Sequence, residues 1–125
     1  MSAWTDDELR AVGAATELRI TTRRRDGTLG PPVPLWVVRV GGALYVRSWK
    51  GTGGAWFRQA SAQGFVHITA ADVDTDVTVA LTGTGDRAEI DQAYRAKYGR
   101  YGRAYVDPMT ADSAAETTLL LTPAR

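Results

Sequence analysis

Apolar and polar positions alternate with a period of two along much of this chain. In residues 17–25, Leu18, Ile20 and Thr22 fall on one face and Arg19, Thr21, Arg23 and Arg25 on the other, which predicts a strand. Asp26-Gly27 predicts the turn that ends it. Gly30-Pro31-Pro32-Val33-Pro34 reads as extended chain that cannot be a central strand, because proline donates no ladder hydrogen bond. Residues 35–40 are almost continuously apolar, as in a barrel wall buried on both faces. Gly41-Gly42 turns the chain back into a strand over 43–48. Further strands are expected at 65–69, at 77–82 with Val77, Val79 and Leu81 inward, and at 116–121, closed off by Pro123.

A helical stride appears three times. Thr5 and Glu8 stand at capping-box spacing, Trp4 and Leu9 at staple spacing, and Leu9 and Val12 share a stripe, so a short helix packs there as a lid on the core. Trp56, Phe57 and Ala60 mark a second helix, ended by Gly64. Ile90, Ala93, Tyr94 and Lys97 mark a third over 86–98. About six strands joined largely by short turns predict an antiparallel sheet closed on itself to protect its edges.

The bulk properties mainly exclude. A chain of 125 residues, 44% hydrophobic, is expected to be one domain with a core that needs no staples. Fifteen basic and fourteen acidic residues leave +1, which steers nothing toward nucleic acid. Cysteine is absent and His67 is the sole histidine, which argues against thiolate chemistry, an ordinary zinc site and a Ser-His-Asp triad. With no long apolar run or basic leader, the expected location is cytoplasmic. His67 is expected to be a packed or rim residue. Asp72, Asp74 and Asp76 have the spacing of a calcium loop but lack its glycine and closing glutamate, so an acidic turn at 70–76 is expected, without metal.

Chemistry concentrates in residues 44–60, where a strand runs into Gly51, Gly53 and Gly54 and then a helix start. Such a geometry leaves backbone N–H groups free for an anion at the positive end of the helix. Arg47, Ser48, Lys50, Thr52 and Arg58 surround it with further donors. Lys50 precedes the glycines, so this is no P-loop, and Trp56 stands where the dinucleotide fingerprint needs glycine. Arg24 and Arg25 suit either a charged edge that blocks strand addition or an oxyanion clamp. The basic, aromatic segment 94–103 suits rim packing or a cofactor-facing flap better than single-stranded nucleic acid.

The order of these elements resembles the split β-barrel flavin-binding superfamily, typified by pyridoxamine-phosphate oxidase and by flavin- and deazaflavin (F420)-dependent reductases. More narrowly, the chain is similar to the family DUF2255 from Trp4 to Pro123, through Pro34-Leu35-Trp36-Val37-Val38, Tyr45-Val46-Arg47-Ser48, Gly51, Trp56-Phe57-Arg58 and Ala93-Tyr94-Arg95-Ala96-Lys97-Tyr98. The resemblance implies a mainly β (α+β) fold. It is a six-stranded antiparallel split barrel spanning 1–125, with short helices at the N-terminus, after strand three and before the last strand. It implies a homodimer holding FMN or F420 in an interface groove. Ser48, Lys50, Gly51, Trp56 and Arg58 stand in the matching phosphate positions, Arg47 beside them, with Thr22 and Arg24 contributed by the first strand. Trp36 would approach or underlie the ring.

Two functions follow from that resemblance. One is an oxidoreductase moving a hydride to or from a small organic substrate, with Tyr45, Tyr94 and Tyr98 as candidate proton donors. The other is a non-catalytic module of the same fold that stores or senses a cofactor or other ligand.

Overall fold

The computed structural model describes residues 3–82 and 85–124. Helix α1 (Asp6–Ala14) is capped as expected, with Thr5 Oγ1 accepting from Glu8 N at 3.1 Å and Glu8 Oε1 accepting from Thr5 N at 2.9 Å. Seven strands follow among the described residues: β1 (Leu18–Thr21), β2 (Val33–Leu35), β3 (Val37–Val40), β4 (Ala43–Val46), β5 (Phe65–Ala70), β6 (Val73–Leu81) and β7 (Leu119–Pro123). Helix α2 (Ala55–Gln63) lies between β4 and β5, and α3 (Arg87–Tyr98), α4 (Arg103–Thr110) and α5 (Asp112–Ala115) between β6 and β7.

The strands form one sheet in the order β2-β1-β5-β6-β7-β4-β3, and every neighbouring pair is antiparallel. Its two edge strands, β2 and β3, are separated in sequence by Trp36 alone. Two peptide steps span no more than about 7 Å, so the sheet must curl until its ends nearly meet. The result is a nearly closed antiparallel barrel.

Seven strands replace the expected six because the run 35–40 is broken at Trp36, where the chain crosses from one edge of the sheet to the other. The proline-rich segment does reach the sheet, at its edge, with Pro34 opposite Arg19. The expected acidic turn at 70–76 shrinks to Ala71 and Asp72, and β6 already begins at Val73. Asp74 and Asp76 are therefore strand residues on the solvent face, where both carboxylates meet the His67 ring, Asp76 at 2.8 Å from Nδ1 and Asp74 at Nε2. Helices α4 and α5 had no counterpart in the sequence reading.

Two apolar clusters divide the interior. The first fills the barrel: Leu18, Ile20, Val37, Leu44, Val46, Ile68 and Val77 meet Leu9 and Val12 of α1 and Phe57 and Ala60 of α2. The second lies outside the wall, where Val38 and Tyr45 meet Ile90, Tyr94 and Tyr98 of α3 and Val106 and Met109 of α4. Strands β3 and β4 are thus covered on both faces, which explains their unbroken apolar run.

Tyr98 pins α3 to the crossing point. Its hydroxyl accepts from Val37 N at 3.1 Å and donates to Thr16 O at 2.8 Å, and its ring stacks on Trp36 with centroids 4.0 Å apart and planes within 2°. Tyr98→Phe leaves the Val37 amide unpaired in a buried setting. It should lower unfolding stability by about 1–3 kcal/mol in urea titrations; an unchanged midpoint would show that the hydroxyl is idle.

Hydrogen bonding to Asp76, and secondarily to Asp74, raises the His67 pKa above its ordinary 6.5 against a smaller opposing effect of burial. A raised pKa means the folded chain holds the proton more tightly than the unfolded one. The stabilisation is complete below 6.5 and disappears as pH climbs through the folded value. The stability lost in His67→Asn should accordingly be larger at pH 5.5 than at pH 8.5, measured in matched denaturation curves.

Candidate cofactor-binding site

The loop between β4 and α2 begins at one surface depression and ends at another. At its start, Trp49 lines a slot of about 440 Å³ with Pro34, Leu35, Trp36, Tyr105 and Met109. Trp49 is 64% and Tyr105 65% exposed, so two large aromatic rings stand open to solvent in one place. Trp36 is half-buried, backed by Tyr98 and by Tyr101 at 5.8 Å. The slot therefore has flat, polarisable walls suited to a planar ring.

At the loop's end, Ala55, Arg58, Gln59 and Gln63 of α2 face Arg23, Arg24 and Arg25 across a groove of about 540 Å³. Arg24 Nη1 donates to Leu29 O at 2.8 Å and Arg23 Nη1 to Gly27 O at 3.1 Å. Among the described residues, none of the four guanidinium groups has a carboxylate partner, and Arg25 and Arg58 have no side-chain hydrogen bond. Gly54, the N-cap of α2, offers no side chain to the first-turn amides, and that turn has no acidic residue. Positive charge and free N–H groups therefore accumulate at one end of the groove.

The structure distributes the expected site residues unevenly. Arg24 and Arg58 come together in the groove, and Trp36 lines the slot. Lys50 is exposed on the loop and lines neither depression, its Nζ 5.8 Å from the Trp49 ring centroid. Trp56 is half-buried against the barrel core and edge-on to Phe57. Thr22 is spent on holding α2, its hydroxyl donating to Gln59 Oε1 at 2.6 Å.

Arg47, expected among the cofactor-binding residues, is among the residues lining the slot but is engaged within the fold. Its side chain is fully buried, with Nη1 2.5 Å from Asp91 Oδ1 and 2.9 Å from Met109 O, and Nε 2.8 Å from Thr118 Oγ1. A charge enclosed this deeply needs its counter-ion, and Asp91 of α3 supplies it. Nη2 of Arg47 and the Tyr94 hydroxyl are buried with no partner.

Ser48 and Gly51 shape the loop rather than present donors. Ser48 is buried, its amide donating to Thr117 Oγ1 at 2.8 Å, and its carbonyl accepting from Gly51 N at 3.0 Å. Gly51 is buried with φ +67, a conformation that disfavours any side chain, and a Cβ on Gly54 would stand 2.6 Å from Ser48 Oγ. The uncapped amides lie at the α2 end of the loop, the helix start where an anion was expected.

The three tyrosines named as proton donors line neither depression. Tyr45 and Tyr94 are buried, and burial raises both pKa values. Burial likewise pushes Tyr98 up to about 12. Next to it, burial and then Arg100 bring Lys97 down to about 8, while its Nζ donates to Val37 O at 2.6 Å.

Sequence reasoning missed Trp49, Tyr105, Asp91 and the participation of Arg23, whereas Arg25, open between a charged edge and an oxyanion clamp, lines the groove. Trp49 lay inside the run that was singled out, and its outward position was legible only once the strand was known to stop at Val46. Asp91 carried no local signal, since its partner is forty-four positions away.

The profile of the family described as "Uncharacterized protein conserved in bacteria (DUF2255)" matches residues 8–121. This chain belongs to the DUF2255 family. Its barrel has the fold of several solved structures. The fold recurs in an F420-H2 dependent reductase (FDR-A), at 19% identity and TM-score 0.62, covering 86% of this chain and 93% of that one. It recurs in a putative pyridoxamine 5'-phosphate oxidase from Listeria innocua, at 12% identity and TM-score 0.60, covering 96% and 93%. HutZ, the heme storage protein from Vibrio cholerae, shares it at 14% identity and TM-score 0.62, covering 95% and 87%. No curated protein matches the sequence. Among the described residues no helix is long and apolar enough to cross a membrane.

Asp91→Asn removes the counter-charge of a buried guanidinium and should destabilise this family member by about 3–5 kcal/mol in chemical denaturation. A loss under 1 kcal/mol would mean that Arg47 finds another partner and is free to serve a ligand.

Proposed function

We propose that this DUF2255 protein binds a phosphorylated redox cofactor, FMN or F420, and uses it to move a hydride to or from a small organic substrate. One observation carries the reading: a flat aromatic slot and an unneutralised arginine groove are joined by a single glycine loop. A ring-bearing phosphorylated ligand has those two halves. The fold's occurrence in an F420-H2 dependent reductase and a putative pyridoxamine 5'-phosphate oxidase supports the same class.

The residues fit such a group. Trp36, Trp49 and Tyr105 would sandwich the ring, and Lys50, Arg58 and Arg24, with the uncapped amides of α2, would hold the phosphate. When bound, the cofactor supplies the hydride-transfer chemistry, for which the chain's own side chains are poor agents. The protein orients the ring and excludes water from it. Tyr105 is the tyrosine that lines the slot, which makes it the better-placed proton source.

A homodimer completes the picture. The open side of the slot, with Trp49 and Tyr105 bare, is where a second copy would enclose the ring. Light scattering should then give twice the mass of 13.5 kDa.

Fluorescence titration with FMN and with F420 tests the binding. Trp49→Ala should weaken the preferred cofactor by about 1–3 kcal/mol, as loss of a stacking wall does, and Arg58→Ala by about 1.5–3 kcal/mol. Wild-type affinity in both variants, or no binding of either cofactor to the native protein, would refute the reading. Bound cofactor without turnover of any electron acceptor would instead indicate a storage module.

A further inference from the structure

The arginine groove holds more charge than one phosphate can use. Arg23, Arg24, Arg25 and Arg58 converge on it, and no carboxylate is among its lining residues. Asp26 is the nearest acid in sequence, and its Oδ1 is occupied by the Thr28 amide at 3.0 Å and the Thr28 hydroxyl at 2.6 Å.

Two of the arginines are also held in place. The backbone of Arg23 meets the Gln63 side chain, whose Oε1 accepts from its amide at 3.4 Å and whose Nε2 donates to its carbonyl at 2.5 Å. The Arg24 amide donates to Thr28 O at 2.7 Å, which closes the hairpin. Thr22 is tied to Gln59 on the same helix. The arginine hairpin and α2 are thus fastened to each other along the groove, and like charges are kept together that solvation would otherwise separate.

We infer that this groove binds an oligoanion, two or more adjacent anionic groups as in a diphosphate or longer oligophosphate, rather than a single monophosphate. The inference rests on the cofactor reading above and narrows it, since FMN carries a single phosphate monoester and would leave part of the groove's charge unmet. Planar guanidinium forks on opposite walls each present paired donors. A lone phosphate dianion neutralises half of the four charges. A chain of phosphates lying in the groove would offer charge to both of its walls, and the uncapped first turn of α2 begins at Ala55, which lines it.

The test is calorimetric titration of the whole protein with inorganic phosphate and with tripolyphosphate at about 0.1 M salt. Tripolyphosphate should bind at least tenfold more tightly, the gain from about one additional charge-assisted bond. The double variant Arg25→Ala/Arg58→Ala, whose native side chains make no hydrogen bond among the described residues, should abolish that preference and leave the thermal midpoint unchanged. Equal affinity for the two anions, or a preference that survives the double variant, would overturn the inference. So would tighter binding of a short oligothymidine than of tripolyphosphate, since the groove would then be a nucleic-acid surface. The two readings fail separately: FMN or F420 bound without an oligophosphate preference sinks only the oligoanion, and the preference without either cofactor sinks only the redox role.

Discussion

The ends of the sheet lie one residue apart in sequence, and that connection constrains the rest of the molecule. Because β2 leads through Trp36 directly into β3, the barrel must curl almost to closure, and the crossing cannot carry a regular ladder. Backbone groups released there need other partners. Tyr98 and Lys97 of α3 supply them at Val37, and Thr16 takes the remaining tyrosine hydrogen. The third helix is therefore fixed at a point chosen by the sheet. The indole left at the crossing stacks on Tyr98 and lines the slot.

The same helix carries Asp91, and this links the crossing to the floor of the slot. Arg47 emerges one residue beyond the end of β4 into a space walled by Tyr94, Met109 and Thr118. Such a charge is tolerated only because Asp91 and the Met109 carbonyl meet it. Met109 and Pro108 in turn line the slot. A cation that local sequence assigns to ligand binding thus holds α4 against the barrel and gives the slot its shape. Among the described residues its Nη2 and the Tyr94 hydroxyl, on the ring 5.3 Å from the guanidinium, are buried without a hydrogen-bond partner.

Sequence alone made the barrel wall legible, because Val37, Val38, Leu44 and Val46 announce two-sided burial and the turns at Gly41-Gly42 and Asp26-Gly27 are short-range signals. Likewise the capping box of α1 and the glycine stop of α2 are local and appear as expected. What escaped was decided at a distance. Trp36 looks like any strand residue until the edges of the sheet are known to meet there. Asp74 and Asp76 look like turn formers until His67 is placed opposite them. Arg47 looks like a free donor until Asp91 arrives from later in the chain, and Ser48 looks like one until the fold buries it with its amide on Thr117. Arg24 and Arg58 could be suspected of serving one ligand, but only the fold shows that they line one groove.

The glycine loop separates two tasks that the sequence reading had merged. Gly54 must approach Ser48 so closely that no Cβ fits, and Gly51 must turn with positive φ. With both conditions met, the chain leaves β4 at the aromatic slot and enters α2 at the arginine groove. The loop's own amides at Gly51 and Gly54 are then consumed internally by Ser48 O and Gly51 O. It follows that the loop acts as a spacer between a ring site and a charge site rather than as the anion cradle itself. A ligand answering both ends must carry its negative charge away from its planar part, and this separation narrows the candidates more than the presence of either depression does.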